Sequence, residues 1–299
     1  MRSRFSIPVT LLQCALVLCV VLLVLQAADR QAATPLLNRQ LLSTQYLQPQ
    51  SETREAPTQL TLATFNIHSG KGRDEVCNLE RTHSAIPAGI DLLFLQEVRS
   101  GLHGLRTDQT SYLAEKLEYA HLFLPTEQQY FENHFGNALL TRTAPQSIHY
   151  LPLPNSLGKR FRNATLLTLD ICQPPLRVLL THLDEKVDRA EQLPLIVDLF
   201  NGLEAPVVLM GDLNTRVGDE LLAPLWEEPD VLDALASCTA DREDGHGVDW
   251  ILTKGLKVID QQIVETDASD HPLFTVTIEI PRFNPDSKIT TQPVNTVLK

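Results

Sequence analysis

The nucleophile elbow GxSxG, the zinc helix HExxH, the phosphate loop GxxxxGK and the dinucleotide turn GxGxxG are all absent from this chain. Gly70-Lys71-Gly72 is too short to serve as a phosphate loop. Cysteine is scarce: of five, Cys14 and Cys19 fall in an apolar run, which leaves Cys77, Cys172 and Cys238, an odd set at wide spacing with no CxxC pair. That gives neither a disulfide framework nor a metal ribbon, and no Cys–His pairing stands out for a thiol nucleophile. The cysteines read as buried thiols. Positive charge is short as well, with 25 Lys+Arg against 37 Asp+Glu and a net charge of −12. An acidic body repels phosphate backbones, and no basic stripe interleaved with aromatics offsets it, which counts against a charge-driven nucleic-acid binder. A metal-dependent enzyme remains compatible, because bound Mg²⁺ supplies positive charge locally. No internal repeat is visible in the sequence.

One long apolar run is present. Arg2 and Arg4 precede residues 7–28, which contain no charged residue. As a helix this run would span about 33 Å, enough for a bilayer core. A cleaved signal peptide is the rival reading, but a small-x-small cleavage site is poorly formed, since Leu25 or Gln26 would stand at the −3 position. Length favours an uncleaved N-terminal membrane helix, and the positive residues ahead of it put the body on the non-cytoplasmic side. The expected location is therefore the inner or plasma membrane with the body extracytoplasmic (periplasmic), or secreted if the segment is cleaved. Residues 29–59, with Pro35, Pro49 and Pro57, read as a linker that has a helical patch at 36–42. A folded body is expected over 60–280 and a polar, disordered tail over 281–299.

Inside the body, apolar β-rich runs recur near 60–66, 91–96, 121–124, 137–141, 147–151, 164–171, 176–182, 206–210, 249–253, 258–264 and 273–280. Helical patterns lie between them at 78–88, 110–117, 189–203 and 218–226; in the third, Leu193, Ile196, Val197 and Phe200 recur on one side. Many strands and few helices imply two packed sheets with helices outside, in place of a simple doubly wound parallel sheet.

Polar residues stand repeatedly where these apolar runs end. Asn66 closes the first run, and Glu97 follows a run too apolar to face solvent. Glu97 beside Asn66 makes a plausible Mg²⁺ site, since Mg²⁺ favours oxygen donors and few carboxylates. In Gly211-Asp212-Leu213-Asn214 the glycine lets the chain turn, and strand alternation would aim Asp212 and Asn214 to one side. One could act on an attacking water while the other donates to a phosphoryl oxygen; an Asx turn is the plain alternative. His182 ends another run and could donate a proton to a leaving oxygen. His271 follows Asp270, but neighbours in a strand point oppositely, so Asp249 or another acid could orient it instead. Lys159-Arg160-Phe161-Arg162 is the dense positive stretch of the body. Lys159 and Arg160 read as a solvated loop, and Arg162 could reach a phosphate. Asn137 could orient substrate or hold a turn. Read together, these residues look like an active site assembled from many strand ends.

In order, Thr64-Phe65-Asn66-Ile67-His68, Leu95-Gln96-Glu97-Val98, Gly136-Asn137-Ala138-Leu139-Leu140, Thr181-His182-Leu183-Asp184, Gly211-Asp212-Leu213-Asn214, Val248-Asp249-Trp250-Ile251 and Ser269-Asp270-His271-Pro272 resemble the motifs of the endonuclease/exonuclease/phosphatase (DNase I-like) superfamily. Residues 66–72 with Leu79-Glu80-Arg81 look most like its small bacterial branch. His68 departs from the acidic residue of the DNA-repair members, which weakens an abasic-site reading. The resemblance implies a four-layer α/β sandwich of two mixed β-sheets flanked by helices, and Mg²⁺-dependent cleavage of phosphoesters, with Mn²⁺ as a substitute. It implies Asn66, Glu97 and Asp270 around the metal, Glu97 foremost, with Asp212 on the water and Asn214 on the phosphoryl oxygens. Asp249 would support His271 at the scissile phosphate, and His182 would be the second histidine; from the residues themselves, Arg162 and Asn137 are the candidates to touch substrate. A phospholipid head group or small phosphodiester suits the acidic, anchored body best. Nucleic acid, as for an extracellular endonuclease, is the alternative; phosphomonoesters would need more local positive charge. A non-catalytic scaffold of the same fold is the rival from another class. No protein partner is indicated.

Overall fold

The computed structural model describes residues 57–282 apart from 102–107, 130–132, 157–159 and 239–246, together with residues 16–20, 31–32, 45 and 47. The expected patch at 36–42, the tail beyond 282, Lys159 and most of the apolar run at 7–28 lie outside the described residues; of that run, 16–20 is helical. No described helix is long and apolar enough to cross a membrane.

In chain order the elements are β1 (Gln31–Ala32), β2 (Gln59–Asn66), α1 (Leu79–Ala85), β3 (Leu92–Gly101), α2 (Gln109–Leu117), β4 (Ala120–Gln129), β5 (Asn133–Thr141), β6 (Ser147–Pro152), β7 (Asn163–Leu169), β8 (Leu176–His182), α3 (Arg189–Gly202), β9 (Val207–Asp212), α4 (Ala223–Trp226), β10 (Val231–Asp233), β11 (Asp249–Lys254), β12 (Lys257–Val264) and β13 (Leu273–Glu279). The strands form two mixed sheets, ordered β1-β4-β5-β3-β2-β13-β12 and β10-β11-β9-β8-β7-β6. Each has one parallel pair, β2/β3 in the first and β8/β9 in the second, with every other pairing antiparallel.

Alternation along the strands builds the layers. In β2, Leu60 and Leu62 face a core shared with Val208, Met210 and Leu180 of the other sheet, while Ala63 and Phe65 face outward onto Ile86 and Leu113, beside α1 and in α2. In β9, Val208 and Met210 take the inner face, and Val207 and Leu209 meet Ile196 and Phe200 of α3. Both faces of the central strands are thus covered, which is why apolar residues occupy both faces of each. Helix, sheet, sheet and helix stack as four layers.

Several expected boundaries shift for local reasons. α1 stops at Ala85 because Pro87 disfavours helical geometry in the residue before it. The pattern at 218–226 resolves into a 3-10 turn at Glu220–Leu222 and the single-turn α4, with Pro224 in its first turn. Gln31–Ala32, expected within a linker, adds a short edge strand to β4. β10, absent from the sequence expectations, is only three residues long.

Candidate active site

The polar strand ends converge because topology sends them to one pole. β2, β3, β8 and β9 finish there, and β7, β11 and β13 begin there. His182 is the register partner of Asp212 across the parallel β8/β9 pair, and Asp212 is the partner of Asp249 across β9/β11. Neighbouring strands lie about 4.8 Å apart, so register alone brings these three groups together. Gly211 makes the close pairing with β8 feasible. Its φ is +138, and a Cβ there would sit 1.9 Å from the Thr181 carbonyl oxygen.

Asp212 is the centre of the network. Its Oδ2 accepts from Asn66 Nδ2 at 3.1 Å and stands 3.5 Å from His182 Nε2, and its Oδ1 accepts the Asn214 backbone N–H at 2.9 Å. The last contact is an Asx turn. Asn214 is left-handed, with φ 49, so it leaves the strand geometry that would have aligned it with Asp212; its amide donates to the Leu183 carbonyl at 2.9 Å. Asp212 is buried, and burial first, then the Asp249 charge, raise its pKa well above the usual carboxylate range. His271, the Asn214 N–H and Asn66 oppose them.

His271 Nδ1 lies 2.7 Å from Asp249 Oδ2, so Asp249 and not the adjacent Asp270 orients the ring. Burial works against the imidazolium, but Asp249, Asp212 and Asp270 outweigh it and push the pKa up to about 10. With Nδ1 engaged, Nε2 is the nitrogen left for substrate, on a side chain 19% exposed. Ser269 Oγ ties this loop to β2 by donating to the Asn66 carbonyl at 2.7 Å.

Glu97 sits on a bulge of β3, where the register with β5 shifts between Leu95 and Val98, and its φ is 58. Residues with positive φ crowd this pole: Glu97, Asn214, and His68 with Ser69 in the turn after β2. Such strain persists only where surroundings enforce it. Here Gln109 Nε2 holds the Ser69 carbonyl at 2.7 Å and Arg99 Nε holds its hydroxyl at 3.0 Å.

Asp212, Asp249 and His271 each offer a ligand atom within 4.8 Å of the others, a spacing able to hold one cation. Their mutual hydrogen bond already occupies His271 Nδ1. The oxygen left open to a hard cation is therefore Asp249 Oδ1, buried without a hydrogen-bond partner among the described residues, whereas Asn66 Oδ1 accepts the His68 N–H at 3.1 Å. Asp270 lies outside that trio; its half-exposed carboxylate is 3.6 Å from His68 Nδ1. Asn137 and Arg162 are both buried. Asn137 donates to Asn163 Oδ1 at 3.4 Å, and Arg162 meets His182.

Sequence reasoning passed over Ser269, Gln96, Arg99 and Gln109. Gln96 is buried, with its amide on the Thr64 hydroxyl at 2.8 Å. Ser269 and Gln96 lie inside the quoted motifs, so their positions were available, but only the folded register reveals what they hold.

Two back-to-back mixed sheets whose parallel pairs end in a buried Asp–His network define a DNase I-like sandwich. The chain belongs to the Endonuclease/Exonuclease/phosphatase family, which it matches over residues 63–271. Members of this family are generally phosphoester hydrolases and typically use divalent metals. The fold is shared with an endonuclease/exonuclease/phosphatase from Beutenbergia cavernae, at 23% identity and TM-score 0.59 over 75% of this chain and 72% of that one. It is shared with the human Nocturnin catalytic domain, solved with a bound sulfate anion, at 19% identity and TM-score 0.55 over 75% and 94%. D. rerio TDP2 complexed with a single-strand DNA product matches at 16% identity and TM-score 0.56 over 75% and 100%. No curated protein matches the sequence.

Proposed function

We propose that this protein is a metal-dependent phosphoesterase, tethered to a membrane by residues 7–28 with its catalytic body outside the cytoplasm. The observation that carries the reading is the His271–Asp249 pair beside a buried Asp212 that Asn66 and Asn214 hold in place. Asn66, Glu97 and Asp270, together with the unpartnered Oδ1 of Asp249, would hold Mg²⁺ or Mn²⁺, which when bound would supply a Lewis acid for the phosphoryl oxygens.

The chain's own groups divide the remaining work. Asp212, whose raised pKa makes it ready to take a proton, removes one from the attacking water. His271, kept charged by Asp249, meets the negative charge that gathers on the scissile phosphate. Asn214 steadies the phosphoryl oxygens, and Asn137 braces the same pole. The acidic balance of the body and the apolar N-terminal run favour a phospholipid head group or small phosphodiester over nucleic acid.

The test is hydrolysis by the purified chain, with and without Mg²⁺, of phospholipid vesicles, bis-p-nitrophenyl phosphate, p-nitrophenyl phosphate and plasmid DNA. Mg²⁺-dependent turnover that His271→Ala abolishes is expected. Preference for plasmid would move the substrate to nucleic acid, and a folded protein inert on the whole panel would favour a scaffold.

A further inference from the structure

The basic stretch ahead of β7 turns inward at its last residue. Arg162 is 8% exposed and its Nη1 stands 3.3 Å from Nδ1 of the buried His182. Guanidinium nitrogens carry donors only, and the group stays charged in proteins. Burial lowers its pKa from the ordinary arginine value, and the charges of Glu97, Asp212, Asp184 and Glu127 oppose that effect. Nδ1 of His182 must then be the acceptor, and the ring's single proton lies on Nε2, the nitrogen that stands 3.5 Å from Asp212 Oδ2. A second proton on Nδ1 would set two donors face to face in a buried pocket. The groups around His182 agree: burial, Arg162 and His271 all lower its pKa well below the ordinary histidine value.

We propose that Arg162 is a positioning residue that locks His182 as the neutral Nε2–H tautomer, so that His182 holds a fixed proton toward Asp212 and is not the acid that protonates the leaving oxygen. The catalytic half of this inference rests on the phosphoesterase reading; the tautomer does not. It also reverses the role the sequence suggests for both residues. Arg162, buried against His182, is held away from the substrate, and His182 keeps its proton through the reaction.

The experiment uses the full chain labelled with 15N-histidine, read at neutral pH by long-range 1H–15N correlation, with His182→Asn to assign the signals. Wild type should show an unprotonated, acceptor-type Nδ1 and a protonated Nε2. Arg162→Met keeps length without a donor. It should release the lock, shifting His182 toward an Nδ1–H or mixed form, and lower kcat about 100-fold at near-normal KM, because the proton held toward Asp212, the base on the attacking water, is then lost. Arg162→Lys restores a donor and should recover the Nε2–H signature. A protonated Nδ1 in the wild type would overturn the proposal, as would an unchanged tautomer and kcat in Arg162→Met. A raised KM at unchanged kcat would make Arg162 a substrate-binding group instead. If Arg162→Met does not fold, the wild-type and Arg162→Lys spectra still decide. If nothing in the substrate panel is turned over, the phosphoesterase reading fails while the spectra independently report the tautomer.

Discussion

Replacing Asp249 by asparagine removes one charge and little else, because the amide oxygen can still accept from His271 Nδ1. In the metal-free wild type, His271 is raised from 6.5 to about 10, chiefly by Asp249 once the opposing effect of burial is overcome. At about 1.4 kcal/mol per tenfold change, that rise corresponds to about 5 kcal/mol between the protonation states. The net loss of stability should be smaller, about 3 kcal/mol, because the same Asp249 charge also raises Asp212, and its removal relieves that carboxylate. The folded pKa lies above the unfolded one. The stabilisation is therefore complete below pH 6.5 and is lost as pH rises through about 10. Urea denaturation in EDTA across this range should show the alkaline decline in wild type and a flat limb in Asp249→Asn. 15N signals of His271 should titrate near 10 in the former and near or below 6.5 in the latter. A variant whose His271 still titrated near 10, or a wild type titrating near 6.5, would refute the assignment of Asp249 as the controlling charge.

Gly211→Ala should lower Tm by roughly 10 °C in thermal denaturation, because φ +138 and a 1.9 Å approach to the Thr181 carbonyl force β8 and β9 apart; an unchanged Tm would show that the strands part freely. Saturating Mg²⁺, at about 100 times its dissociation constant, should stabilise wild type by about 2.7 kcal/mol. Glu97→Ala should lose both that gain and the metal-dependent turnover, and undiminished turnover would remove Glu97 from the metal site. His121, remote from the site, has its pKa lowered by burial, so the unfolded chain takes the proton first. Stability should hold above pH 6.5 and fall toward pH 5, less steeply in His121→Gln, with His182 supplying the remainder.

The central strands were readable in the sequence because both of their faces are buried, and Leu60 to Asn66 and Val207 to Asp212 leave only Thr61 partly exposed to blur the signal. The short β1 and β10 carry too few residues for any periodicity to show. At the site, motif order exposed Asn66, Asp212, Asp249 and His271. Three things were hidden: the left-handed turn of Asn214, the inward course of Arg162, and the orphan oxygen of Asp249. Each depends on which strands pair and in what register. The His182–Asp212 alignment across a parallel pair joins segments with a whole helix between them, and no local pattern encodes it.

The short pairing of Gln31–Ala32 with β4 fixes the direction from which the chain arrives. Their partners, Glu127 and Gln128, lie toward the end of β4 that, through β5, adjoins the end of β3 beyond Glu97. Only two residues, Asp29 and Arg30, separate Ala28 from Gln31, a reach of about 10 Å. Under the proposed tethering, a bilayer holding residues 7–28 would lie within that reach of the β1 end of the sheet. Under that same proposal, lipid in the leaflet would meet the site at a concentration set by the membrane's own surface density.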